Sequence, residues 1–367
     1  MKKYGYNQIS LTQFIFFIYK TQIGIGVLTL PRDLVEKTGT DGWISILIGW
    51  VLSVIISIII IKVMEKHPDQ TLFDILSLYF GKWIGKGISI LWILYSLFAA
   101  SVVIFTTIHV MKVWILPNAL QPILMILFII PIYMVTRHGI KIIGRFAEFT
   151  YLFTIWMPYI LLFTLKEDIE WLNLLPIAKQ GWIPILTSVK STVLSFLGFE
   201  LVFILYPFLK DKKSAIKGVI IANSLSLLIF FIATIICYLR FDTEEIKEFV
   251  WPTLNLLKLI QFPFLERLEI IFLSFYLFVL FMTVIPYLYT ALLGSTLLTG
   301  RQDHHSYLLV VIIGWVILSV FYLPTYNDLI QYGKWWGDIG LYFAFLFPVF
   351  IWMYSFIFHF WKKARVQ

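Results

Sequence analysis

A chain of 367 residues in which 60% are Ala, Val, Ile, Leu, Met, Phe, Trp, Tyr or Cys and only 14% are charged, with a mean hydropathy of +0.88, carries too much apolar surface for a soluble globule. The net charge of +8 forms no basic stripe outside short loops, which argues against a nucleic-acid surface and for basic loops held on one side of a membrane. The single cysteine, Cys237, lies in an apolar run, which excludes a disulfide framework and a cysteine-based metal site.

Segments long enough to cross a bilayer number about ten: 10–31, 42–63, 88–114, 119–135, 146–165, 183–209, 219–239, 270–298, 307–323 and 339–361. The fourth is short and holds Pro122 and Pro131. Lys2 and Lys3 precede the first run and Gly24-Ile25-Gly26 has the small-x-small pattern of a cleavage site, but the run continues to Leu30 and Lys20 interrupts it; cleavage is not expected. Two stretches are too short to span. Residues 71–80, with Asp74 and Ser77 among Leu72, Ile75, Leu76 and Tyr79, predict a short helix lying on the membrane surface, and 251–261, with Pro252 in its first turn, predicts another on the opposite face. Trp43, Trp335, Trp336 and Trp361 read as interfacial anchors.

With the N-terminus inside, the inner segments hold 17 Lys and Arg and the outer ones 10, and the outer ones hold most of the acids, including Asp242-Thr243-Glu244-Glu245. Both termini are therefore expected on the cytoplasmic side. The chain reads as one integral membrane domain, 1–367, since no connection is long enough for a soluble one. Gly81-Lys82-Trp83-Ile84-Gly85-Lys86-Gly87 lacks the spacing and the Ser/Thr of a phosphate-binding loop. His304-His305 is an adjacent pair that does not face one metal from a helix or strand and reads as solvated loop; His109 and His359 lie near span ends. With no paired carboxylates and no nucleophile–base arrangement, neither enzyme activity, cofactor nor metal is expected.

Two spans are interrupted. The first contains Thr21-Gln22-Ile23-Gly24-Ile25-Gly26-Val27-Leu28-Thr29-Leu30-Pro31, and the sixth contains Ser195-Phe196-Leu197-Gly198-Phe199-Glu200. Glycine holds a helix poorly, and backbone groups freed inside a bilayer survive only against protein or a water-filled cavity. Each glycine group alone reads equally as close helix packing or as part of a ligand site. Together, five spans apart, they point to a site in an all-α polytopic fold of two inverted halves, about 10–165 and 183–361, with helices 1 and 6 broken. Half-helix N-termini converge on an anionic group while freed carbonyls at the other ends accept from an ammonium, so a zwitterion suits the pair.

Residues 23–32, Asp41-Gly42-Trp43-Ile44, Ser195–Glu200, Val250-Trp251-Pro252-Thr253, the Gly81–Gly85 loop and Leu265-Glu266-Arg267-Leu268-Glu269 together resemble the B subunits of spore germinant receptors, a branch of the amino acid–polyamine–organocation superfamily. The resemblance covers essentially the whole chain. It implies a LeuT-like 5+5 inverted repeat in the inner membrane of a spore or the cell membrane, partnered by A and C subunits, with a small germinant, an amino acid, bound at the breaks. By position the pocket uses Gly24, Ile25 and Gly26 of span one and Leu197 and Gly198 of span six. Tyr95 and Ala99 of span three share a helical face at i, i+4, as do Thr283 and Tyr287 of span eight, and both pairs are expected to close it. Thr290 and Ser295 form no adjacent hydroxyl pair, which speaks against sodium coupling.

Ionisable groups within a span are functional suspects. Lys20, one turn before Gly24, either stands where related folds hold a coupling cation, or snorkels, or pairs structurally with Glu148 or Glu200. Glu200 is expected to fix the geometry of the unwound segment rather than touch ligand, and Glu148 to pair with Arg145 or Lys141. Lys190 faces an outer vestibule or has a buried partner. Three roles remain open: a nutrient-sensing subunit, an amino-acid permease, and a non-binding scaffold of a complex.

Overall fold

The structure, a computed structural model, describes residues 7–166, 169–175, 177–260, 262, 267–301, 303–322 and 324–364. All ten apolar segments are helical over most of their length. The first divides into α1 (Leu11–Gln22) and α2 (Gly26–Thr38), followed by α3 (Gly42–Glu65). α4 (Leu72–Trp114) runs the predicted surface helix into the third span through a kink at Gly81, whose φ of 76° and ψ of 177° suit glycine. Next come α5 (Gln121–Thr136), α6 (Ile140–Thr154) and α7 (Met157–Leu161). α8 (Trp182–Ser195) and α9 (Val202–Leu205) make the sixth segment, bent by 50° between Ser195 and Phe199. After α10 (Ala215–Arg240), the connection holds α11 (Thr243–Glu248) and α12 (Pro252–Lys258). The chain closes with α13 (Leu268–Thr299), α14 (His305–Phe321), α15 (Tyr326–Gly340) and α16 (Phe347–Ala364).

Among the described residues six helical stretches are able, by length and composition, to cross a bilayer, seven with the bent pair, and α5 and α14 are shorter apolar helices. This is a multi-pass membrane protein. The tenth segment differs from expectation: α15 starts at Tyr326, well before residue 339, and passes through a π-helical turn, Leu341–Leu346, into α16. In α4, Leu91 and Leu94 are exposed on the outer surface while Trp92 and Ala99 are fully buried. In lipid, apolar side chains gain little by leaving the hydrocarbon, so close contact at small residues and polar links carry the association. Gly340, for instance, lets Leu197 approach to 2.6 Å of where a Cβ would stand.

Both short helices, expected as surface helices, pack one face against neighbouring helices. On the first, Leu72, Ile75 and Leu76 are fully buried, Phe73 packs on Gly294 of α13, and Tyr79 packs on Tyr354 and Phe358. On α12, Thr253, Leu254, Leu256 and Leu257 are fully buried, and α12 packs on α2. A single apolar face does not tell lipid from protein; here neighbouring helices supply the cover. Trp336 is likewise no simple anchor, since its ring meets Tyr287 edge-on. At the opposite end, Ile9 pairs with Leu209, its N–H donating to Phe208 O at 2.9 Å and its carbonyl accepting from Lys210 N at 3.1 Å. The segment before α1 is thereby tied to the end of the second broken span.

Candidate functional site

The two breaks meet each other and α13. A Cβ on Gly24 would lie 3.1 Å from Thr283 Oγ1, one on Gly26 3.3 Å from Ser195 Oγ, and one on Gly198 3.0 Å from Thr21 Cγ2. The readings of these glycines as packing residues and as break residues are therefore both met by the same contacts. The structure brings together Gly24 with Thr283, and Tyr95 with Tyr287, whose rings meet edge-on at 6.1 Å. Ala99 is fully buried one turn beyond Tyr95. The Leu197 side chain is directed onto Gly340 of α15. Ile25 and Gly26 are half-buried where α2 begins, and no side chain caps that helix.

Most of the freed carbonyls already accept from side chains. Tyr276 Oη donates to Gly24 O at 2.7 Å, Thr283 Oγ1 to Ile23 O at 3.5 Å, and Thr253 Oγ1 of α12 to Val27 O at 2.8 Å. At the second break Gln22 Nε2 donates to Phe196 O at 2.8 Å and to Asn223 Oδ1 of α10 at 2.9 Å. Ser226 Oγ donates to Gln22 Oε1 at 2.6 Å, and Asn223 Nδ2 reaches Ser57 of α3 at 3.3 Å. Gln22 thus ties one half-helix to the other and both to α10. Its truncation would leave several buried polar groups unpaired, so Gln22→Leu is expected to lower stability by about 2–4 kcal/mol. An unchanged melting temperature in detergent would contradict this.

Glu200 is fully buried immediately after the second break. Its Oε1 accepts from Tyr95 Oη at 2.9 Å and Tyr287 Oη at 2.7 Å, and its Oε2 accepts from Gly198 N at 2.6 Å. Gly198 adopts φ +125°, which directs that N–H at the carboxylate. The start of the second half-helix is therefore filled by the chain's own acid, while the start of α2 is not. The expectation that both half-helix N-termini await a ligand anion fails at the second, where Glu200 stands, while the start of α2 has no side-chain cap.

Lys20 pairs with neither Glu148 nor Glu200. Buried in the last turn of α1, its Nζ donates to Thr154 Oγ1 of α6 at 2.6 Å and stands 4.7 Å from the centroid of the Tyr19 ring. Glu148 accepts from Gln13 Nε2 at 3.1 Å and has no ion pair with Arg145 or Lys141 among the described residues. Lys190 forms a half-exposed ion pair with Asp338 at 2.6 Å, joining α8 to α15. His304 is pinned to α5 through Thr136 O at 3.1 Å rather than left in a free loop. His109 stands in an aromatic cluster with Trp251 and Tyr326, at 6.1 and 5.8 Å. Glu266 lies outside the described residues, and Thr290 Oγ1 donates to Pro286 O at 2.9 Å. Gln22, Asn223, Ser226 and Tyr276 were given no role of their own from the sequence, while Thr253 entered only as part of a family motif and Trp336 only as an interfacial anchor. The signal was present for the amides, since Gln22 and Asn223 are polar residues deep in apolar spans.

Two broken helices in contact, with polar side chains converging on the breaks, define a polytopic membrane protein with a polar centre inside its helical bundle. Comparison with known proteins gives that class a family. The family model described as spore germination protein matches residues 8–329, and the chain belongs to that family. It is 27% identical to spore germination protein GerQB of Bacillus cereus over 349 residues, covering 94% of this chain and 95% of the relative. It is 32% identical to spore germination protein YndE of Bacillus subtilis strain 168, covering 78% and 80%, and 26% identical to spore germination protein B2 of the same strain, covering 96% of each.

Proposed function

We propose that this chain is the nutrient-sensing membrane subunit of a spore germinant receptor, binding a small amino acid at the two helix breaks and passing occupancy to A and C subunits. The reading places it in the spore inner membrane or cell membrane with both termini on the cytoplasmic side, as its basic loops favour, and gives its helices the LeuT-like 5+5 inverted repeat with helices 1 and 6 broken. The observation that carries it is the contact between the breaks, beside an uncapped, half-buried start of α2 at Ile25 and Gly26. A ligand carboxylate received by those N–H groups stands next to Thr283 and within reach of the face formed by Tyr95, Ala99 and Tyr287. A ligand changes the protein's state only by binding one arrangement of α1, α2 and α8 better than another, and Gln22 links these pieces.

Ala99→Phe tests the pocket. Inserting a ring at a fully buried position on that face is expected to abolish the response of spores to amino acid, or make germination independent of it, while the protein still reaches the membrane. An unchanged dose–response curve would remove Ala99 from the site. Saturable amino-acid counterflow in proteoliposomes would assign transport in place of sensing. Assembly with A and C subunits but no amino-acid binding would leave a scaffold.

A further inference from the structure

We infer that Glu200 is the group that recognises the ammonium of the ligand, so that the site selects compounds carrying a primary amine and rejects their hydroxyl counterparts. The assignment rests on the reading of the breaks as a ligand site. Carbonyls at broken helices are the usual acceptors for such a cation, but here Gly24, Val27 and Phe196 each already take a hydrogen bond from Tyr276, Thr253 and Gln22. Glu200 is different in kind. It is an ionisable carboxyl group, fully buried, and it takes hydrogen bonds from two phenols and from the Gly198 N–H. These donors are neutral, and among the described residues no cation stands against Glu200, so an arriving ammonium would supply the counterion that its ionised form needs. Lys20, the buried cation nearby in sequence to the first break, is engaged with Thr154 and does not supply one.

The surroundings fit an incoming ammonium. Two of the three donors are side-chain hydroxyls on separate helices, so either Tyr95 or Tyr287 is able to turn aside and yield its place on Oε1 to an N–H group. One helical turn from those tyrosines stand the small residues Ala99 and Thr283, and Thr283 touches Gly24. The carboxylate and the open start of α2 are thus joined by one continuous face of α13. A ligand with both charges meets an acid at one end and backbone N–H groups at the other.

The experiment is calorimetric titration of the purified full chain in lipid nanodiscs. The probes are L-alanine, L-valine and L-leucine, each against the 2-hydroxy acid of the same shape, and each against the amine lacking the carboxylate. Wild type is expected to prefer amino acid over hydroxy acid by at least a hundredfold. Glu200→Gln is expected to cut that preference at least tenfold, and Glu200→Asp, which restores the charge, to recover most of it. A purely structural Glu200 would weaken both members of a pair equally, so an unchanged preference in a folded Glu200→Gln protein overturns the assignment and leaves the ligand site standing. If the Gln variant does not fold, wild type alone decides: equal affinity for amino and hydroxy acid overturns the assignment. A wild type that binds none of the probes overturns the reading of the breaks as a site, and this inference with it.

Discussion

Gly198→Ala is expected to destabilise the protein by about 2–5 kcal/mol and to remove its response to ligand, without keeping it out of the membrane. Two costs add at this position. The backbone holds φ +125°, a region that side-chain-bearing residues rarely adopt. The new Cβ would also stand 3.0 Å from Thr21 Cγ2 and 3.2 Å from the backbone nitrogen of Gln22, and the backbone there has little freedom to withdraw. Relief by rotating the peptide would turn the Gly198 N–H away from Glu200, breaking a 2.6 Å bond to a buried carboxyl group, so the strain has no cheap exit. Insertion depends on the apolar spans, which are untouched. Gly314→Ala is the control: it lies in α14 with nothing within 4 Å of its added Cβ, and it should be neutral or slightly stabilising, since alanine favours helix. Melting temperatures of the two variants in detergent, with membrane-fraction abundance, make the comparison. Equal values for the pair would mean that the break is not under the constraint described.

What was legible in the sequence follows from what each kind of signal measures. Long apolar runs report the solvent around a segment, so the helical segments were readable from hydropathy alone, while the early start of the tenth at Tyr326 and the run of the 71–80 helix into the third were not. Glycine reports local backbone need, so both breaks were readable too. Neither signal carries information about partners distant in the chain. Gln22 meets Phe196 across 174 residues and Asn223 across 201, and Tyr276 meets Gly24 across 252. These pairings depend on which helices become neighbours, and so the carbonyls at the breaks looked free when they are occupied.

The same limit explains the other departures. The α12 segment shows one apolar face and a polar remainder, as a surface helix does; only the arrival of α2, and the bond from Thr253 to Val27, makes that face internal. Trp336 followed a tryptophan and looked like its companion, yet Trp335 is 49% exposed while Trp336 packs on Tyr287. Adjacent residues on a helix point about 100° apart, so one indole turned outward beside another turned inward is what helical geometry predicts. Glu200 was readable as an acid deep in an apolar span. Its donors were partly readable as well: Tyr95 and Tyr287 were expected at the pocket, though as wall residues rather than as holders of a carboxylate.

Lys20→Met is expected to leave thermal stability within about 2 kcal/mol of wild type while abolishing the response to ligand. The stability term is small because two effects oppose one another. Burying an ammonium costs several kcal/mol even after relaxation, and its hydrogen-bond acceptor among the described residues is Thr154 Oγ1. That hydroxyl donates onward to Thr150 O at 2.6 Å, so it remains paired when the lysine is gone. Against this, Lys20 stands in the last turn of α1, where a cation favours the negative end of the half-helix, worth up to about 2 kcal/mol in buried surroundings. Methionine keeps the reach and fills the same space between Tyr19 and Tyr151 with an apolar thioether that suits aromatic neighbours. What it removes is the positive charge one turn from Gly24, and with it the potential felt at the first break. A lysine serving only to fasten α1 to α6 would behave in the opposite way, lowering the melting temperature and leaving germination on amino acid intact. Lys190→Met separates charge in general from charge at this place. Its pair with Asp338 is half-exposed, worth about 1 kcal/mol or less, and its loss should change neither stability nor response. A Lys20→Met spore that germinates normally alongside it would show that the buried cation takes no part in sensing.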